Sequence, residues 1–185
     1  MKKNIISISG DLASGKGTVS KILMNELNYG IYRNGEYARS LAKEMGLDIT
    51  SFNDYLSHHP EIDEQIEKSA SEYAKVNDKF VIDARLGWYA VPESFKVYLK
   101  VDVDVSAKRA FNDPNRKSTE CFNTVEEQKQ DIIRRYNMEN ERYFKLYHIH
   151  KEDMNNYDLV VDTTYKTPEE VASIIIEEYN KWLNE

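Results

Sequence analysis

The chain has 185 residues, 41% hydrophobic and 31% charged, which suits one domain with a true core and a heavily charged surface. With 25 basic against 32 acidic residues, net −7, it lacks the basic footprint of a nucleic-acid-polymer or membrane-surface binder, although a few local cations suffice to hold one phosphate. A single cysteine, Cys121, excludes a disulfide framework and fits a reducing cytoplasm; no signal peptide or membrane span is expected.

The first expected element is a strand over Ile5–Ser9, an apolar run of β-branched type. It runs into Gly10-Asp11-Leu12-Ala13-Ser14-Gly15-Lys16-Gly17-Thr18, ahead of a helix over Lys16–Leu27. Strand, glycine loop, lysine and helix in that order are the setting of a phosphate cradle. Glycine at 10 and 15 lets the backbone turn tightly and aim N–H groups at oxygen atoms. The helix adds its positive end, and Lys16 supplies a mobile charge for β and γ phosphates. These nine residues form the candidate ATP site. Position 17 is Gly and Thr follows at 18, so the hydroxyl that usually comes directly after the lysine is displaced. Glycines at 10, 15 and 17 do not fit the dinucleotide fingerprint G-x-G-x-x-G, which disfavours a dehydrogenase.

A weaker strand signal at Tyr29–Tyr32 is followed by helical patterns over Glu36–Met45, Ser51–His58 and Glu61–Val76. Strands are expected again at Phe80–Asp83 and, by alternation, Phe95–Val103. Helices over Val105–Phe111 and Thr124–Tyr147 precede a strand at Asp158–Asp162. A last helix over Pro168–Leu183 follows, with Val171, Ile174, Ile175 and Tyr179 on one face. Thr167 reads as its cap and Pro168 as its first turn. Five strands alternating with helices predict an α/β domain with a mainly parallel sheet flanked by helices.

Phosphoryl transfer needs a grip on a second phosphate, and arginine provides a permanently charged, bidentate one. Arg39 lies one turn into a helix after Asn34-Gly35-Glu36. Arg85 follows the Phe80–Asp83 strand at its carboxyl end, where ligands bind in open α/β sheets. Arg135 and Arg142, seven apart, project from one helical face; Arg109, Arg116 and Arg134 compete with them. Asp83, at a strand end, can help order Mg²⁺. Trp88 is a candidate wall of a base pocket, with core packing as the alternative reading. The four histidines and Cys121 show no metal-ligand or nucleophile spacing.

Taken together, these segments resemble the cytidylate kinase family, most of all its short form found in archaea and some bacteria. The Gly15-Lys16-Gly17-Thr18 variant is similar to that of nucleoside monophosphate kinases. Asn34-Gly35-Glu36-Tyr37-Ala38-Arg39 resembles the acceptor segment, and Pro60-Glu61-Ile62-Asp63 the P-E-I-D stretch. Asp83-Ala84-Arg85-Leu86-Gly87-Trp88 resembles the acid–small–Arg-Leu turn. Arg135, Glu139, Arg142-Tyr143 and Tyr147 resemble the R-x-x-x-E-x-x-R-Y-x-x-x-Y helix, and Tyr157–Thr163 the Y-D-L-V-I-[DN]-T strand.

The resemblance implies a three-layer phosphate-loop NTPase-type fold, with a helical acceptor-binding insert over about 34–76 and a short lid over about 112–142. It implies that Gly35, Arg39, Asp83, Arg85 and Trp88 serve the acceptor. Arg135 and Arg142 would belong to the lid, whose flexible part is about Asn112–Asn123. The catalytic set would be Lys16, Arg85, Arg135 and Arg142. Mg²⁺ would be held largely through phosphates and water, with Thr18 and Asp83 helping through water. The expected reaction moves the γ-phosphoryl of ATP to CMP or dCMP in a cytoplasmic, monomeric enzyme. Two readings stay open beside it: a kinase for another monophosphate or small acceptor, and a nucleotide-binding module without transfer activity.

Overall fold

In a computed structural model of the chain, residues 3–47, 49–114 and 122–184 are described. Five strands, β1 (Ile5–Gly10), β2 (Gly30–Arg33), β3 (Phe80–Asp83), β4 (Phe95–Lys100) and β5 (Leu159–Asp162), form one sheet in the order β2-β3-β1-β4-β5. Every pairing is parallel, with β1 at the centre: Ile6 lies opposite Val81 on one side and Phe95 on the other. The helices are α1 (Lys16–Leu27), α2 (Asn34–Glu44), α3 (Ile49–His58), α4 (Pro60–Val76), α5 (Gly87–Ala90), α6 (Val103–Asn112), α7 (Val125–Tyr147) and α8 (Pro168–Asn184).

An all-parallel sheet must be covered on both faces, and the alternation in β1 divides the work. Ile6 and Ile8 join Val19 and Leu23 of α1 and Val171, Ile175 and Tyr179 of α8. Ile5 joins Phe80, Ile82 and Val91 with Ala70 and Ala74 of α4. These are the three expected layers. The insert has its own small core of Ala42, Phe52, Leu56 and Ile66. On the other flank Ala107 and Ala110 of α6 meet Ile132 of α7 beside Leu12 and Ala13.

Boundaries follow caps rather than hydropathy. β4 stops at Lys100, short of the expected Val103, because the Asp102 carboxylate accepts the N–H groups of Asp104 (2.9 Å) and Val105 (3.2 Å) and starts α6. Thr167 caps α8 as expected: its hydroxyl accepts from Glu170 N–H at 3.2 Å, while the Glu170 carboxylate accepts from Thr167 N–H at 2.7 Å. Residues 115–121, which include Arg116 and Cys121 of the expected lid, lie outside the described residues. Among the described residues no helix is long and apolar enough to cross a membrane.

Candidate active site

The glycine loop is fastened to the sheet before any ligand is considered. Gly10 has φ 148°, and a Cβ there would stand 2.3 Å from the Leu99 carbonyl oxygen of β4, so the chain can pass only without a side chain. The Asp11 carboxylate accepts the Tyr98 hydroxyl at 2.6 Å and the Val101 N–H at 2.9 Å. Asp11 therefore faces β4 and anchors the loop, a role its position in the motif does not reveal. Ala13 (φ 55°) and Gly15 (φ 92°) make the left-handed turns that reverse the chain into α1. Gly15 offers α1 no side-chain cap, which leaves the helix's positive end for an anion. Ser14 is buried and its hydroxyl has no hydrogen-bond partner.

Lys16 Nζ donates to the carbonyl oxygens of Gly10 and Asp11, each at 3.0 Å. Burial, and then the neighbouring Arg85 charge, lower its pKa to about 8, against the opposing pull of Asp83 and Glu139.

A cleft of about 840 Å³ runs past this loop along the carboxyl ends of the strands. On one side it is lined by Arg109, Thr163 and Lys166, and on the other by Asp83, Arg85, Arg33 and Arg39. Arg109 is fixed there by donating to the Thr163 carbonyl at 2.7 Å. Arg39 is exposed and lies over Gly35, where an added Cβ would be 3.5 Å from its guanidinium. The turn carrying Arg85 is pinned by Ser9, whose hydroxyl donates to the carbonyls of Ala84 (3.1 Å) and Arg85 (2.9 Å). Thus Lys16, Arg39, Asp83 and Arg85, predicted from separate segments, share one cleft with Gly15, Gly17 and Thr18. A groove of about 630 Å³ between α2 and α4, beside Tyr32 and Tyr73, contains none of the predicted residues.

A Cβ on Gly17 would stand 3.7 Å from Asp83 Oδ2, so a carboxylate faces the place where a loop hydroxyl would otherwise sit. Among the described residues no group of three or more His, Cys, Asp or Glu gathers. One hard oxygen donor beside a phosphate cradle fits Mg²⁺, which keeps its waters and is completed by phosphate oxygens.

Three predicted residues are placed differently. Trp88 lines neither the cleft nor a smaller cavity behind the loop. It packs edge-on against Tyr157 (5.8 Å between centroids) and Tyr89 (5.9 Å), because α5 carries it over β1 and β4. Arg135 and Arg142 also line neither cavity. Arg135 reaches Asp131 of its own helix at 3.8 Å. Arg142 meets Asp63 of α4 at 3.4 Å, and Tyr147 donates to the same carboxylate at 3.3 Å. Arg142 thus faces the acidic side of α4 rather than the cleft.

Several functional neighbours carried no usable signal. Glu139 of α7 pairs with Arg85 (2.7 Å) and with Lys151 (2.8 Å). Glu139 stood in the helix pattern without a role, and Lys151 looked like any lysine in a polar turn. Glu67, one turn after Asp63, is buried and accepts from Asn34 Nδ2 at 3.2 Å. Burial and then the Asp63 charge push its pKa up to about 8. A periodicity of i, i+4 could have placed these two acids on one face.

A profile of the cytidylate kinase-like family matches residues 5–165. A cytidylate kinase of Thermoplasma volcanium is 33% identical over 92% of this chain and 88% of its own length. An S-adenosylmethionine-dependent nucleotide dehydratase of Lacinutrix mariniflava is also 33% identical, over 97% of this chain but only 36% of that longer protein. Among solved structures, a shikimate kinase from Acinetobacter baumannii in complex with shikimate superposes with a TM-score of 0.61. It does so at 15% identity, over 98% of this chain and 94% of the other, a likeness of fold alone.

Proposed function

We propose that this chain, which belongs to the cytidylate kinase-like family, transfers the γ-phosphoryl group of ATP to CMP or dCMP, giving the diphosphate and ADP. The observation that carries this reading is the single cleft in which Lys16 and the open end of α1 stand at one station and Arg39 and Arg85 at the next. Two anion stations in one cavity are what a transfer between two phosphorylated molecules requires.

An oxygen of the acceptor phosphate attacks the γ-phosphorus in line. The new P–O bond forms as the bond from that phosphorus to the β,γ-bridging oxygen breaks, and ADP carries the electron pair away. No covalent enzyme intermediate is needed. Lys16 leaves the Gly10 and Asp11 carbonyls to neutralise charge on the β and γ oxygens, and Arg39 and Arg85 hold the acceptor by paired N–H donors. Asp83 and Thr18 would hold the waters of a Mg²⁺ ion arriving with ATP, which would supply neutralisation of phosphate charge. Arg109, fixed to the Thr163 carbonyl, offers a flat cation at the ATP end of the cleft.

ADP release, followed across CMP, dCMP, UMP, AMP and simple alcohols, tests this. Release with CMP or dCMP is the expected result. Release with alcohols alone, or with no acceptor, would sink it.

A further inference from the structure

We infer that Glu139 is a positioning residue whose one carboxylate holds two cations, Arg85 and Lys151, and that Lys151 offsets its charge so that the acceptor phosphate meets a positive Arg85. The inference rests on the phosphotransfer reading above.

Glu139 Oε1 takes Arg85 Nε at 2.7 Å, and Oε2 takes Lys151 Nζ at 2.8 Å. The three residues come from the turn after β3, the middle of α7 and the loop after α7, so only the fold brings them together. Nε is the inner nitrogen of the guanidinium. With Nε committed to Glu139, the two η nitrogens are the fork left for a phosphate. The Arg85 side chain is 39% exposed, against 14% for Glu139, so the donor end of the pair is the one open to solvent. Arg85 and Lys16 line both the main cleft and the smaller cavity, of about 280 Å³, that Glu139 and Lys151 also line.

Lys151 is itself held from three sides. It is only 7% exposed, its ammonium lies 4.9 Å from the Tyr136 ring centroid, and its carbonyl accepts the Tyr157 hydroxyl at 2.8 Å. Burial raises the Glu139 pKa, but the Arg85 and Lys151 charges outweigh it and hold it at about 2. The carboxylate is thus always charged near neutrality. Alone, it would cancel Arg85 in the view of an incoming phosphate. With Lys151 the group of three keeps one net positive charge.

The test compares Lys151→Met, Glu139→Gln and the double variant in the full chain, with monophosphate varied at saturating ATP. Lys151→Met raises the acceptor KM about three- to tenfold with kcat little changed, the effect expected of one uncompensated charge nearby, and Lys151→Arg restores it. Glu139→Gln lowers kcat by about tenfold or more as Arg85 loses its orientation. In the Glu139→Gln background Lys151→Met takes the local charge from two positive to one, the same unit loss as in the wild type, so KM rises there by a similar factor. An unchanged KM in Lys151→Met, or a double variant whose KM equals that of Glu139→Gln, would overturn the inference. Side-chain ¹⁵N NMR of arginine reads the pairing without turnover. An Arg85 Nε–H signal, identified by its loss in Arg85→Lys, exchanges slowly in the wild type and fast in Glu139→Gln; no difference also overturns the inference. If the wild type turns over no monophosphate, the reaction assignment fails while this signal still decides the pairing.

Discussion

On the proposed reading, the two stations of the cleft hold phosphate by different construction. The triphosphate side is nine consecutive residues set by backbone geometry: Gly10 pressed on β4, Asp11 bonded to Tyr98 and Val101, Gly15 opening α1. The acceptor side is assembled from side chains on four segments: Arg39 on α2, Arg85 after β3, Glu139 on α7 and Lys151 beyond it. Behind it Asp63 and Glu67 are buried, and Arg142 reaches Asp63 at 3.4 Å. The first construction is fixed chiefly by backbone shape, with Lys16 as its one cation. The second depends on the balance of several charges. Stability should therefore respond to shape on the first side and to charge on the second.

The largest expected effect is Lys16→Met. ADP release drops about 10²–10³-fold, the usual loss of one preorganised charge donor, with the urea midpoint unchanged or raised. A folding defect in this variant would break the contrast. The pH behaviour sharpens it. The Lys16 pKa is depressed from 10.5 to about 8, so between those values the folded state binds fewer protons than the unfolded state. This group then adds stability as pH rises through that window. The gain is absent from Lys16→Met, and kcat/KM for ATP in the wild type falls above about pH 8.

Gly10→Ala comes next and should act on shape. A Cβ 2.3 Å from the Leu99 oxygen forces the loop off β4 and costs about 3 kcal/mol of stability, read by urea unfolding. A variant as stable as the wild type would show that β4 does not clamp the loop.

Glu67→Gln probes the charge-balanced side. The Glu67 pKa is raised from 4.5 to about 8 by burial and then Asp63. Its contribution is present below 4.5 and is lost as pH rises through 8. The wild-type Tm should fall by several degrees over that window and the variant's should stay flatter. Parallel curves would remove Glu67 from the account.

Arg39→Ala is the smallest change. Arg39 is exposed, so stability stays within about 0.5 kcal/mol, while the acceptor KM rises about tenfold for one lost charge-assisted fork. An unchanged KM would remove Arg39 from the acceptor station.

The same contrast explains what could be read from the chain beforehand. The loop was legible because its chemistry is contiguous: glycines, lysine, preceding strand and following helix all lie within one short window. Strands β1 and β3 are legible because both faces are buried and apolar, largely β-branched residues predominate. The four-residue α5 and the 3₁₀ turn at Met154–Asn156 were not, being shorter than any period can register. β4 was overextended because alternation ran on past the Asp102 cap. Arg85 was found from its place at a strand end, but its partners Glu139 and Lys151 could not be, since no local pattern links a turn, a mid-helix acid and a later loop. The helical spacing puts Arg142 on a face with Arg135 but gives no sign that Asp63 engages it. Trp88 was drawn toward the cleft by proximity to Arg85, whereas the turn into α5 carries it to Tyr157.

The Lys16 ammonium donates to the Gly10 and Asp11 carbonyls. An incoming nucleotide displaces resident acceptors instead of filling a vacancy, so part of its gross attraction is spent on eviction. The same two carbonyls take the ammonium back when the spent nucleotide departs, so leaving strands no buried charge.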